Sequence, residues 1–134
     1  MATALVTGAT AGIGESFTRL LAQQGYDLVL VARDVKRLAE RAKFLRGKYK
    51  VKVEIIVADL SKNNEIAKVS KRLTNPKNPV EVLINNAGFG IKSSFIASEL
   101  KRENELLDVL VKAPMQLTHA VLPYMKARNS GRII

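Results

Sequence analysis

Apolar positions along the chain recur with two alternating periods. Continuous apolar runs fall at 2–7 (ATALVT), 27–32 (DLVLVA), 53–58 (VEIIVA) and 80–85 (VEVLIN). Short runs of this kind, rich in valine, isoleucine and leucine, read as strands covered on both faces. Between them the period lengthens to that of a helix. Ile13, Phe17, Leu20 and Leu21 share one helical face, closed by Gly25. Val35, Leu38, Ala42 and Leu45 form a second, with Asp34 placed to cap it. Ile66, Val69 and Leu73 form a third, with Ser61 as its candidate cap, and Asn75, Pro76, Asn78 and Pro79 end it. Ser98 is a candidate cap for a long helix reaching about residue 127, after which Asn129-Ser130-Gly131 turns the chain into Ile133 and Ile134.

Strand–helix alternation with short connections implies a parallel sheet with right-handed crossovers. The expected fold class is α/β, a Rossmann-like doubly wound parallel sheet that stops after the fourth strand and the start of a fifth. In the strand order 3-2-1-4-5-6 the ligand crevice lies between strands 1 and 4. Both are present. Residues 1–134 read as one domain, incomplete at its C-terminus, with no repeat, low-complexity tract or linker. With a fifth strand barely begun, strand 4 is expected to lack a neighbour and to leave an open backbone edge and uncovered apolar surface.

Composition narrows this picture. Apolar content of 47% in 134 residues supports a single hydrophobic core. The longest apolar runs are far shorter than a bilayer requires, and the start MATALVTGAT lacks a basic segment, so neither a membrane span nor a signal peptide is expected. The absence of cysteine excludes disulfides and thiolate metal sites and fits a cytoplasmic location. The acidic residues show no metal-ligand spacing, so no metal is expected. The formal charge is +10, with eight basic residues at Lys36, Arg37, Arg41, Lys43, Arg46, Lys48, Lys50 and Lys52 opposed only by Asp34 and Glu40. Such a surface attracts nucleic acid or anionic membrane. Helical spacing accounts for most of it as a solvated face, and no aromatic side chain suited to base stacking is read among those positions, so a nucleic-acid partner is not expected.

The first strand leads into TGATAGIG, Thr7 to Gly14, with glycines at 8, 12 and 14 and a helix following. Glycine permits the tight turn and the close approach of a pyrophosphate to backbone N–H groups, and the helix N-terminus adds partial positive charge. In dinucleotide folds a carboxylate near the end of strand 2 binds the ribose hydroxyls, or an arginine accepts a 2′-phosphate. Strand 2 ends VARD, and Arg33 lies 19 residues beyond Gly14, preceded by the small Ala32. A guanidinium suits a phosphate through charge and forked hydrogen bonds. Asp34 serves better as a helix cap. NADP(H) is therefore expected to be preferred over NAD(H).

Strand 4 ends in NNAG, Asn85 to Gly88. Together with TGATAGIG, this resembles the short-chain dehydrogenase/reductase family over the whole chain, and NNAGFG and VARD are most similar to its broad carbonyl/alcohol oxidoreductases. The resemblance implies that Gly8, Gly12, Ile13 and Gly14 form the pyrophosphate turn, with Thr10 beside the adenosine phosphate. It gives Arg33 the 2′-phosphate and sets Asp59 and Leu60 beside the adenine, the carboxylate accepting from its amino group. Asn86, Ala87 and Gly88 would line the ribose and the path to the nicotinamide, and Asn85 would tie strand 4 to its neighbours.

Family catalysis uses a tyrosine, a lysine four residues later, a serine, and an asparagine on the long helix. The lysine lowers the tyrosine pKa. Here Tyr26, Tyr49 and Tyr124 are followed four residues on by Leu30, Val53 and Arg128, and the asparagine position holds Leu110. Pro114, four residues after Leu110, has no N–H and leaves the Leu110 carbonyl free, the backbone feature with which the family holds a relay water. His119 reads as structural or solvent-facing. The resemblance thus implies the cofactor-binding portion of an NADP(H)-dependent oxidoreductase of carbonyls and alcohols, inactive alone. Alternatives are a non-catalytic nucleotide- or nucleic-acid-binding module, and one half of a split enzyme. A complementing chain, or a homo-oligomer through the helix at 99–127, is the partner expected.

Overall fold

A computed structural model describes residues 2–134. The order is β1 (Thr3–Thr7), α1 (Gly12–Gln23), β2 (Asp27–Ala32), α2 (Val35–Tyr49), β3 (Val53–Val57), α3 (Asn63–Leu73), β4 (Val80–Ile84), α4 (Leu100–Leu107), α5 (Ala113–Arg128) and β5 (Arg132–Ile133). The strands form one parallel sheet ordered β3-β2-β1-β4-β5, which is the doubly wound arrangement expected.

Alternation within the strands divides the core into two layers. Ala4 and Val6 of β1 face α1 and α2, packing with Leu21, Leu38, Ala42 and Leu45. Leu5, between them, faces the other way into Ile66, Val69, Leu73, Leu117 and Val121 of α3 and α5. Because both sheet faces are covered, β1 and β2 are buried at nearly every position.

Several local expectations change. The buried face of α1 is Gly14, Thr18, Leu21 and Ala22, whereas Ile13 and Leu20 are exposed. The apolar periodicity misled here because the helix lies against the turn that precedes it, and only a glycine fits the contact. Val35 is likewise exposed at the first turn of α2, while Leu38, Ala42 and Leu45 are buried. Asp34 caps α2 as expected, its Oδ1 accepting from the Arg37 N–H at 3.0 Å. Ser61 does not cap α3: its hydroxyl donates to Asp59. Ser98 lies one residue outside the cap of α4, donating to the Phe95 carbonyl and to Glu103.

The long helix is interrupted. A π turn at Asp108–Lys112 joins α4 to α5. Pro114 cannot donate to the Leu110 carbonyl, and the chain resolves the gap by widening one turn, with the Ala113 N–H reaching the Asp108 carbonyl. Nor does β4 lack a neighbour. Val82 and Leu83 pair with Arg132 and Ile133, and Ile134 continues the pairing, its N–H donating to the Leu83 carbonyl at 2.9 Å and its carbonyl accepting from the Asn85 N–H at 2.7 Å. The outer edge on this side is β5.

Candidate functional site

The site begins at the β1–α1 turn. Gly8 (φ 64°) and Gly12 (φ 55°) hold left-handed backbone that other residues adopt at a cost. They serve differently. A Cβ on Gly12 would meet nothing, whereas one on Gly8 would lie 2.7 Å from Asn86 Nδ2 and 2.9 Å from the Ala87 Cα. A Cβ on Gly14 would fall on the Gly8 carbonyl and the Asn86 amide. Gly12 is needed for conformation, Gly14 for packing, Gly8 for both.

The end of β4 is tied to this turn. Asn86 Nδ2 donates to the carbonyls of Thr7 and Gly8, each at 3.1 Å. The Thr7 hydroxyl accepts from the N–H groups of Asn86 and Ala87, both at 3.0 Å, and lies 3.4 Å from the Ile84 carbonyl, to which it donates. The Asn86 side chain thus ties β4 to the glycine turn, a second tie beside the one expected of Asn85, and the N–H groups of Asn86 and Ala87 are taken up by Thr7. Asn85 bonds β5 through its N–H and reaches Thr118 of α5 with Nδ2 at 3.4 Å; its buried Oδ1 has no partner among the described residues.

Above the C-terminal ends of the strands lies a cleft of about 650 Å³. The glycine turn contributes Gly8, Thr10 and Ala11; β2 and the start of α2 contribute Arg33, Asp34 and Arg37; the segment after β3 contributes Asp59, Leu60 and Ser61. Asn86 to Phe89 follow from β4, and α4 with the π turn brings Arg102, Glu105 and Val109. Of the residues expected from sequence, Gly8, Thr10, Arg33, Asp59, Leu60, Asn86, Ala87 and Gly88 meet in this cleft. Gly12, Ile13 and Gly14 shape or follow the turn without lining it. Leu110 stands beside Gly88, where a Cβ would come within 2.8 Å of its Cδ2.

Three arginines border the cleft. Arg37 pairs with Asp34 at 3.7 Å and Arg102 with Glu105 at 2.8 Å, whereas Arg33 has no ion-pair partner among the described residues. The acidity of Asp59 is altered. Burial pushes its carboxyl up, but this is outweighed by bonds to Oδ1 from the Ser61 hydroxyl at 2.7 Å and N–H at 3.0 Å, and by the charges of Arg33 and Lys62. The net effect holds Asp59 below the usual carboxylate range. Because both bonds fall on Oδ1, Oδ2 is the oxygen open to an outside donor.

Sequence reading missed Arg37, Phe89, Arg102, Glu105 and Val109. Arg37 had a signal, one helical turn after Arg33. The residues of α4 and the π turn had none, because only tertiary packing brings them to the strand ends. The outer face of α2 also corrects an expectation. Phe44 and Tyr49 do interleave with the basic residues: Arg41 and Lys48 lie 5.4 and 5.5 Å from the Phe44 centroid, and Lys48 5.4 Å from that of Tyr49. Part of that charge is engaged within the fold, Arg41 by Glu15 and Arg46 by the Val53 carbonyl. His119 is exposed on α5. Among the described residues, no group of three or more metal-ligating side chains occurs, and no helix is long and apolar enough to cross a membrane.

Comparison with known proteins follows the same lines. The family described as short chain dehydrogenase matches residues 2–134. An uncharacterized oxidoreductase of Staphylococcus saprophyticus is 34% identical over 131 residues, covering 98% of this chain and 56% of the relative. A short-chain dehydrogenase from Sphingobium yanoikuyae, solved in complex with NADPH, superposes with a TM-score of 0.95 at 36% identity, over 99% of this chain and 52% of that one. A bulky-bulky ketone specific alcohol dehydrogenase from Comamonas testosteroni gives 0.95 at 35% identity, over 99% and 53%. The chain spans about half the length of the curated relatives it matches.

Proposed function

The chain belongs to the short chain dehydrogenase family, and from that premise we propose that it is the NADP(H)-holding portion of an oxidoreductase acting on small carbonyl or alcohol substrates. The observation that carries the reading is Arg33: of the three arginines bordering the cleft, it is the one without a carboxylate partner among the described residues. A guanidinium at the end of β2 that makes no salt bridge among the described residues suits the 2′-phosphate that separates NADP(H) from NAD(H). The turn fits a dinucleotide too, because Gly8, Thr10 and Ala11 bring its backbone to the cleft just before the N-terminus of α1.

In this reading the turn from Gly8 to Gly14, with Thr10 and Ile13, holds the pyrophosphate. Asp59 Oδ2 accepts from the adenine amino group, Leu60 borders the ring, and the backbone of Asn86, Ala87 and Gly88 follows the ribose toward the nicotinamide. The nicotinamide supplies or takes up a hydride. The chain's own residues bind and orient it. No tyrosine here has a lysine four residues later, and Leu110 offers no side-chain amide, so the chain alone binds cofactor without turning substrate over. It works as one unit over residues 1–134, in the cytoplasm.

A partner is part of the reading. Leu100, Leu107, Val111, Met115 and Leu122 are exposed along α4, the π turn and α5 at helical spacing. That stripe favours a complementing chain or self-association through this helix. Addition of NADPH and a panel of aldehydes and ketones to the purified chain tests the whole. NADPH should bind, seen as a change in its fluorescence, and its absorbance should not decline. Steady oxidation would overturn the inactivity, and absence of binding would overturn the cofactor reading.

A further inference from the structure

Arg102 lies in the first turn of α4 with its guanidinium carbon 4.0 Å from the centroid of the Phe89 ring. Its Nη1 donates to Glu105 Oε2 at 2.8 Å. All three residues border the cleft, and none has a part in the reading above. The separation is well inside the roughly 6 Å over which a cation is drawn to a ring face. A guanidinium is flat and has two faces. One lies on Phe89, and a side-chain exposure of 45% leaves area for a ligand. Fixed by a phenyl ring beneath and a carboxylate at its edge, Arg102 is ordered before any ligand arrives, so stacking on it costs little further entropy.

The charge of Arg102 is already matched by Glu105, which makes it a poor receptor for another phosphate and separates it from Arg33. A flat heteroaromatic ring requires no countercharge and stacks readily on a guanidinium. We propose that Phe89, Arg102 and Glu105 form a preformed shelf for the adenine ring, with Arg102 touching the base and the other two positioning it. The proposal rests on the cofactor reading and adds the group that receives the face of the adenine, whose edge falls to Asp59. It makes Arg102 a determinant of adenine recognition independent of the 2′-phosphate.

Calorimetric titration of the purified chain with 2′,5′-ADP, NADPH and NADH provides the test. Arg102→Leu and Arg102→Lys should each weaken all three by about tenfold, the lysine failing because it keeps charge but loses the planar face. The ratio of NADPH to NADH affinity should stay as in the wild type. Glu105→Gln and Phe89→Leu should weaken binding in the same uniform way but less. Unchanged melting temperatures for the two Arg102 variants, expected because Arg102 is exposed, exclude unfolding as the cause. Wild-type affinity in Arg102→Leu would overturn the shelf, as would full rescue by lysine or a loss confined to the phosphorylated ligands. A wild-type chain that binds none of the three removes the cofactor reading and the shelf with it, whereas wild-type binding with an indifferent Arg102→Leu removes the shelf alone.

Discussion

Gly12 and Gly14 look equivalent in sequence and differ in structure, so they should respond differently to the same change. Gly12→Ala strains a backbone at φ 55° but meets open space. Gly14→Ala drives a methyl into the Gly8 carbonyl and the Asn86 amide, disturbing the contact that joins β1, α1 and β4. Overpacking of that kind costs about 1–3 kcal/mol, and thermal unfolding should find Gly14→Ala clearly less stable than wild type, with loss of nucleotide binding; wild-type stability would contradict the packing role. Asp59 gives a prediction in pH. Its folded pKa is depressed, so its ionised form contributes stability above the unfolded value, about 3.9, and loses it as pH falls through the folded value. Asp59→Asn should therefore flatten the acid limb of the stability profile below about pH 4, and Ser61→Ala, which removes a bond to the carboxylate and raises its folded pKa toward the unfolded value, should make that limb shallower as well.

At the scale of elements, α2 carries a prediction of its own. Asp34→Ala removes the cap bond to the Arg37 N–H and should cost about 1 kcal/mol by chemical denaturation. An unchanged midpoint would mean the cap contributes nothing. This cap was legible from sequence, as were the four long strands, because each is a short run rich in branched apolar residues and Asp34 sits immediately before a helical period; the expectation that all are covered on both faces fails at β3, an edge strand in which Val53 alone is buried. Other elements were harder to read. The inner face of α1 starts at a glycine and includes Thr18, which no apolar period reveals. Ser61 looked like a cap but lies where Asp59 can turn back on it. The glycine turn and Arg33 were singled out from the strand ends and their spacing, and Asp59 and the backbone after β4 through the family resemblance; Gly8, Thr10, Arg33, Asp59 and residues 86–88 all border the cleft. Phe89 and the residues of α4 and the π turn were not, since their place in the cleft depends on how the long helix packs. Pro114 was read as freeing the Leu110 carbonyl, and the structure answers with the π turn that lets the helix continue.

The whole molecule presents two contrasting surfaces. The outer face of α2 is basic, and the face of α4 and α5 is apolar. Burial of the apolar stripe should drive association, seen as a sedimentation or light-scattering mass that rises with concentration. Replacing Leu107, Val111 and Met115 with serine should hold the mass at that of a single chain while leaving the fold intact, since all three are exposed. A wild-type mass that stays at one chain throughout would remove the stripe as an assembly face. Without the family's tyrosine and lysine, the chain should still hold a dinucleotide and read its 2′-phosphate through Arg33. Wild type and Arg33→Ala are to be titrated side by side with NADPH and NADH. The expected result is tighter binding of NADPH than NADH by the wild type and a preference that collapses in Arg33→Ala; equal affinities in the wild type, or a preference that survives the substitution, would contradict it.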